Sequence, residues 1–315
     1  MERVSRILKL GMFAAAMAFG AAQAGPIIIA GTDADDHGTV SAGINQDGWK
    51  FMEQSLSLIG SAVTNNNKLA VCIGCNSGRA LTAFNSAFGL SGLSGSGWTS
   101  TSLTSVASIT DFFNNAGAVT LNGTGIVYMP TVVNNVGGGI TNAQLAVVNG
   151  HGTTLNNYLS QGGGLFTQEQ ANSSIGYGWL TSLLPGLAVN GDGTTGIADN
   201  SELQLTAQGQ AQFPTLTNTD LSDATPWHAY FTGAFGALQA LVTGNGDDTP
   251  ANALDDVVVL GGGFTSAGGG GTIVCGQPGQ PDCPSQVPEP DSVPLVLMAM
   301  AAALGVTLRQ RKKPA

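Results

Sequence analysis

Charge is scarce in this chain, and positive charge is the scarcer kind. Only 10% of the 315 residues are charged, and ten Lys and Arg stand against 20 Asp and Glu, for a formal net charge of −10. Because phosphate binding needs clustered Lys and Arg, a nucleic-acid partner is not expected. The 43% of apolar residues excludes a disordered polyelectrolyte. The 46 glycines follow no Gly-X-Y period, which excludes collagen.

The N-terminus has the three parts of a secretory signal peptide. A basic stretch with Arg3, Arg6 and Lys9 precedes an apolar run over residues 10–22, which ends in the small-x-small pattern that closes at Ala24. The run is shorter than the roughly 20 residues that span a bilayer. We therefore expect signal peptidase to remove residues 1–24.

The C-terminus carries a second three-part signal. Pro288-Glu289-Pro290 is followed by an apolar stretch over residues 292–308 and then by a basic tail. The stretch is long enough for a short transmembrane helix, and its basic tail would stay cytoplasmic. In this order the three parts resemble the PEP-CTERM sorting signal. The resemblance implies that an exosortase of the inner membrane recognises the tripeptide and removes the anchor, so that the protein reaches the cell surface or the extracellular space.

The predicted processing leaves an acidic body. Of the ten basic residues only Lys50, Lys68 and Arg79 lie in residues 25–288, against 17 acidic ones, a net charge of about −14. Residues 263–286 are rich in Gly and Pro and are expected to be a linker. The predicted organisation is a signal peptide (1–24), an α/β domain (25–262), this linker, and the sorting signal (287–315).

Apolar runs of strand length alternate with helical patterns through the body. Four runs have the continuous apolar character of buried strands: residues 26–30, 68–73, 125–129 and 165–167. Apolar spacings of three and four predict helices at 49–59 and 79–90, and five further short elements are expected between 179 and 260. The alternation predicts a doubly wound α/β fold with a mostly parallel sheet and helices on both faces.

Cap and turn signals add detail to this pattern. Thr141 and Gln144 form a capping-box signal for a helix that Gly150-His151-Gly152 is expected to interrupt, with His151 in a loop. Residues 91–105 are rich in Gly, Ser and Thr and are expected to be a surface loop. His228, next to Trp227, is expected to mark the start of a helix.

One segment resembles a known superfamily. Residues 155–169 read LNNYLSQGGGLFTQE, similar to the helix–Gly-Gly-Gly–strand–elbow segment of the class I glutamine amidotransferase-like proteins, particularly the trehalose-utilisation branch. The resemblance implies a flavodoxin-like fold. An amidotransferase of this class needs a Cys at the elbow and a His followed two residues later by an acid. Residues 167–170 contain no Cys, and His228 has Tyr230 at that position. Without an activated nucleophile glutaminase activity is not expected.

Polar residues with metal-ligand chemistry follow the first predicted strand. Asp33, Asp35, Asp36 and His37 lie where ligands bind in open parallel sheets, outside the carboxyl ends of the strands, and Glu169 follows a second strand. These side chains could hold Ca²⁺ or Mg²⁺, or provide a carboxylate base. The alternative is a plain turn, which Asp and Gly also favour.

The four cysteines are interpreted as disulfide formers. Cys72 and Cys75 have a Cys-x-x-Cys spacing, and Cys275 and Cys283 are too far apart for a zinc knuckle. Structural disulfides are the simpler reading in an oxidising compartment, although the pairing does not follow from the sequence.

Two functions are compatible with these residues. The first is a non-catalytic exported protein of the envelope, matrix or biofilm, with extracellular polysaccharide as a candidate partner. The second is a metal-assisted hydrolase that acts on carbohydrate through the Asp33–His37 cluster.

The sorting signal makes a testable prediction. Mass spectrometry of the protein secreted by its native host should find no peptide beyond about Pro290, because the anchor is removed at the Pro-Glu-Pro motif. Recovery of intact residues 308–315 from the extracellular fraction would show that the C-terminus is not processed.

Overall fold

The first predicted strand becomes one of the central strands of a ten-stranded sheet. The computed structural model describes residues 25–76, 78–132, 138–169, 173–191, 199–222, 227–245 and 255–264, with side chains excluded at 199–202. The predicted signal peptide, the sorting signal with Pro288, Glu289 and Pro290, and Cys275 and Cys283 lie outside these residues. Within them, no helix combines the length and the hydropathy that a bilayer-crossing segment requires.

The described strands, in chain order, are β1 (Ile27–Ala30), β2 (Gly38–Ser41), β3 (Ile44–Asp47), β4 (Leu69–Ile73), β5 (Thr99–Leu103), β6 (Ile126–Met129), β7 (Gly164–Gln168), β8 (Leu187–Asn190), β9 (Asp199–Leu205), β10 (Tyr230–Gly233), β11 (Gln239–Asn245) and β12 (Asp256–Gly262). The described α-helices are α1 (Gly48–Ala62), α2 (Gly78–Leu90), α3 (Val106–Phe113), α4 (Asn142–Asn149), α5 (Gly152–Ser160), α6 (Gly178–Leu183), α7 (Ala207–Gln212) and α8 (Asn218–Ser222).

Five strands form a parallel half in the order β5-β4-β6-β7-β1. Successive residues of each strand point to opposite faces, and both faces are buried. In β1, Ile28 and Ala30 pack with residues of α1 and α2, whereas Ile27 and Ile29 pack with residues of α3 to α6. This part of the chain therefore has the helix–sheet–helix layering that the alternating pattern predicted.

An antiparallel half continues the sheet beyond β1 and was not predicted. Strand β12 pairs with β1, and the remaining strands β10, β8, β11 and β9 extend from it through antiparallel contacts. Only residues 246–255 connect β11 to β12. A parallel partner would need a crossover of a dozen or more residues, so a connection of this length favours an antiparallel pair.

The predicted capping box of Thr141 and Gln144 is confirmed. Thr141 accepts a hydrogen bond from the amide of Gln144 at 3.3 Å, while the Gln144 side chain accepts one from the amide of Thr141 at 2.8 Å. This capping box begins α4, and the predicted interruption separates α4 from α5. His151 lies at the N-cap of α5, where its ring stacks on Phe113 with centroids 4.7 Å apart.

The prediction of a loop throughout residues 91–105 is wrong. Thr99–Leu103 forms β5, which pairs in parallel with β4 at the end of the sheet. Only Leu103 of this strand is buried. An edge strand with polar, partly exposed residues lacks the apolar run by which buried strands are found.

The hairpin of β2 and β3 is a second unpredicted element. Its turn places Ala42 at φ 50° and Gly43 at φ 79°, as a two-residue type I′ turn requires. A Cβ at Gly43 would meet nothing within 4 Å. Glycine is therefore favoured there by backbone conformation and not by space. The hairpin directly follows the polar cluster after β1.

Cys72 and Cys75 form a disulfide with a Cα–Cα distance of 5.8 Å. Cys72 is in β4 and Cys75 lies between β4 and α2, and both residues are fully buried. The sulfur of Cys75 also lies 3.7 Å from the carbonyl oxygen of Ala80. The disulfide therefore ties the segment before α2 to the end of β4.

Candidate functional site

The polar cluster after β1 folds into one tight turn. The amide of Asp36 donates to the carbonyl of Asp33 at 2.7 Å, and the amide of His37 donates to the carbonyl of Ala34 at 3.3 Å. This winding brings residues four apart onto one side of the turn. The carboxylate of Asp33 and the imidazole of His37 accordingly approach each other, with Oδ1 and Nε2 3.4 Å apart.

A second histidine joins this pair from the far end of the chain. His228 immediately precedes Ala229 and β10, so the expectation that it starts a helix is wrong. The amides of His228 and Ala229 both donate to the carbonyl of Gly31, at 2.9 and 3.0 Å. A Cβ at Gly31 would lie 1.9 Å from the carbonyl oxygen of Ala229, so this approach requires glycine. The carbonyl of Gly31, directly after β1, thus fixes the backbone of His228.

The three side chains converge on one oxygen atom. Nε2 of His228 lies 3.0 Å from Oδ1 of Asp33, the same oxygen that faces His37. The Asp33 side chain is fully buried and that of His228 is 6% exposed, whereas that of His37 is 27% exposed. The cluster therefore has a buried side, at Asp33 and His228, and a side open to solvent, at His37.

Asp33 is held as a carboxylate by its two neighbours. Burial alone would raise its pKa, but hydrogen bonds from His228 and His37 and the charges on the two rings bring the pKa below its ordinary value. A buried carboxylate is stable only when it is paired and hydrogen-bonded. His37 and His228 both contribute to this stabilisation.

The geometry fits three ligands of one metal ion. The contacting oxygen and nitrogen atoms of Asp33, His37 and His228 all lie within 4.8 Å of one another. With bonds of about 2.0–2.2 Å, neighbouring ligand atoms lie roughly 2.8–3.1 Å apart in an octahedral site and roughly 3.3–3.6 Å apart in a tetrahedral site. The separations of 3.0 and 3.4 Å from Oδ1 of Asp33 are close to these values, and the two histidine nitrogens lie within 4.8 Å of each other.

The other predicted ligands lie close in sequence but outside this group. The Asp35 amide donates to the side-chain oxygen of Gln168 at 3.4 Å, and the Gln168 side chain donates to the hydroxyl of Tyr128 at 3.0 Å. Burial, and then the charges of Asp35 and Asp36, raise the pKa of Tyr128 well above its ordinary value. Asp35 and Asp36 therefore lie close to the ends of β6 and β7.

Glu169 has its own hydrogen-bond partners. Its amide donates to the carbonyl of Ala30 at 2.8 Å, which places it next to the end of β1. Its carboxyl group, however, is bonded to the side chains of Thr167 and Tyr177. Glu169 was predicted to converge with Asp33 on one ion, but it does not belong to the group of Asp33, His37 and His228.

His228 is the site residue that sequence reasoning missed. It lies far from Asp33 in the chain, and no motif connects the two. The one available signal was scarcity: the chain has three histidines. A histidine-containing site around His37 therefore had only His151 and His228 as further candidates.

The buried Glu169 predicts a pH-dependent stability. Burial raises its pKa from 4.5 to about 8, so the folded protein retains a proton that the unfolded chain has lost. The contribution of this group to stability is complete below pH 4.5 and is lost as the pH rises through about 8. In Glu169→Gln, we expect a melting temperature close to wild type at pH 4.5 and higher by roughly 4 °C or more at pH 9.

The control for this prediction is Asp111→Asn, which removes an exposed carboxyl group from α3. The melting temperature of this variant gives the baseline effect of removing a surface carboxyl group. A Glu169→Gln difference that is constant from pH 4.5 to 9 would show that Glu169 titrates normally.

The chain was also compared with known proteins. No family model, curated protein or solved structure matches it.

Proposed function

We propose that this chain is an exported protein whose α/β domain binds a divalent transition-metal ion through Asp33, His37 and His228. The observation that carries the proposal is the convergence of two imidazole nitrogens and one carboxylate oxygen within 4.8 Å. Ca²⁺ and Mg²⁺, expected from a set of oxygen ligands, prefer oxygen donors alone. Two nitrogen donors out of three favour Zn²⁺ or a similar ion.

The export part of the proposal depends on the two terminal signals. A signal peptide (1–24) and a PEP-CTERM-like segment (287–315) imply processing by signal peptidase and an exosortase. An oxidising destination agrees with the Cys72–Cys75 disulfide, since such bonds persist mainly outside the cytosol. The protein would then act at the cell surface or in the extracellular matrix.

A relationship to the class I glutamine amidotransferase-like proteins is proposed for the fold alone. The parallel half and the segment that leads from α5 into β7 support it. In the flavodoxin fold the strands lie in the order 2-1-3-4-5. The order β5-β4-β6-β7-β1 equals it only if β4 is counted as the first strand and β1 as the fifth. The relationship carries no glutaminase activity, because the elbow residues 167–170 contain no Cys.

Metal binding is tested by adding ions to the purified, metal-stripped protein. We expect Zn²⁺ or Co²⁺ to bind at one ion per chain and to raise the melting temperature, because an ion that binds only the folded state stabilises it by about 2.7 kcal/mol at 100 times Kd. Calcium and magnesium at the same concentrations should have little effect. His37→Gln, at the most exposed ligand, should weaken binding at least tenfold and still fold.

The matched control is His151→Gln, which removes the histidine that stacks on Phe113 and leaves the cluster intact. Its affinity should equal that of wild type. Binding that survives in Asp33→Asn and His37→Gln, or a wild type that takes up no transition metal, would refute the site.

A second candidate function is metal-assisted hydrolysis of a carbohydrate. Catalytic zinc sites keep three protein ligands and leave a further position for water, and the side of the cluster at His37 is open to solvent. An ion there would supply an activated water at neutral pH. The acidic body favours uncharged glycans over anionic ones, since like charges repel.

The two functions are separated by an activity screen on neutral oligosaccharides with and without a chelator. If the protein is a hydrolase, the chelator should abolish turnover and Zn²⁺ should restore it. Asp33→Asn should then be inactive, whereas His151→Gln should remain active. Metal binding without turnover on any glycan would favour the non-catalytic function.

A further inference from the structure

The three cluster residues are positioned in different ways. Asp33 follows β1 after two residues, and His228 is fixed by the backbone hydrogen bonds to Gly31. His37 lies at the end of the turn, just before the separate β2–β3 hairpin. The carbonyl groups of residues 35, 37 and 38, around His37, accept hydrogen bonds from other elements.

Three donors outside the turn hold those carbonyls. The indole Nε1 of Trp49 donates to Asp35 at 3.0 Å, and the amide of Gly48 donates to His37 at 2.8 Å. The guanidinium Nη2 of Arg79 donates to the carbonyl of Gly38, the residue after His37, at 2.7 Å. Two donors come from the start of α1 and one from the start of α2.

Arg79 links the two helices at this point. Its guanidinium carbon lies 5.7 Å from the centroid of the Trp49 ring, in cation–π contact. Gly38 packs on the same ring so closely that a Cβ there would lie 2.4 Å from the indole. The backbone next to Arg79 also has a fixed neighbour, because the carbonyl oxygen of Ala80 lies 3.7 Å from the sulfur of Cys75.

The other two basic residues of the body have different roles. Lys50 pairs with Asp220 at 2.7 Å, and Lys68 donates to the carbonyl of Ser96 at 2.7 Å. Of these three Lys and Arg residues, Arg79 is therefore the one with a side-chain hydrogen bond to the segment that carries Asp33 and His37.

We infer that Arg79 is a positioning residue that sets the metal affinity of the cluster, because it holds the Gly38 carbonyl and thereby the imidazole of His37. The inference rests on the proposed metal site. Groups that orient metal ligands typically change affinity by roughly 10- to 100-fold when they are removed. Arg79 does not contact the ion, and its whole effect passes through His37.

The test is the affinity for Co²⁺ of the full-length protein, followed by titration and by the visible absorption of the bound ion. Arg79→Gln should weaken binding about tenfold or more and alter the absorption band, which reports the ligand geometry. Arg79→Lys keeps a donor for the Gly38 carbonyl and should recover part of the affinity. Lys68→Gln removes the same charge from an exposed position and should bind as wild type does.

A double-mutant cycle separates positioning from a general loss of structure. If Arg79 acts through His37, Arg79→Gln should cost almost nothing further in the His37→Gln background, because the two effects are coupled. Additive losses would overturn the inference, as would an Arg79→Gln variant that binds Co²⁺ as tightly as wild type. A wild type that binds no Co²⁺ would overturn both this inference and the proposed metal site.

Discussion

The site depends on the backbone hydrogen bonds that the carbonyl group of Gly31 accepts. The amides of His228 and Ala229 both donate to it. The two chain segments lie so close together that no side chain at residue 31 fits between them. This contact joins the start of the domain to a segment near its end and delivers an imidazole to the carboxylate of Asp33. Any residue larger than glycine at this position would separate the two segments, and the cluster would lose its most buried histidine.

The charge of the cluster is balanced locally. A body with 17 acidic and three basic residues has few cations to place beside a buried carboxylate. Imidazoles take that role for Asp33, and Arg79 is used for a backbone carbonyl instead. Glu169 is buried without a cation and is neutral instead, because burial raises its pKa to about 8 and leaves it protonated at neutral pH. Two neighbouring strand ends thus carry one ionised acid and one neutral acid.

The sequence predicted the parts of the fold that have a strong apolar signal. Residues 26–30, 68–73 and 125–129 contain strands because both of their faces are buried and both are apolar. Strand β5 has only Leu103 buried, and its Ser and Thr residues looked like a loop. The antiparallel half consists of short strands whose partners depend on tertiary contacts, and no local pattern encodes those contacts.

The candidate site was predictable only as far as local sequence reaches. Asp33 and His37 follow a buried strand within one turn, so their proximity could be expected. His228 joins them through backbone hydrogen bonds to Gly31, and such a pairing has no local signature. Glu169 was expected to join them because it follows a strand end, but its side chain bonds to Thr167 and Tyr177. Position at a strand end therefore identified the correct edge of the sheet, but not the direction of each side chain.

The pairing of β1 with β12 has a consequence for the order of assembly. In the antiparallel register Ile27 lies opposite Gly262, so the first and last described strands are neighbours in the middle of the sheet. The strand made first gains its second partner only after nearly the whole domain has been made. The sheet cannot be completed before residue 262 has been made, and long-range pairing of this kind forms slowly. In this register the first residue of β1 lies beside the last residue of β12, so both ends of the domain lie at the same edge of the sheet.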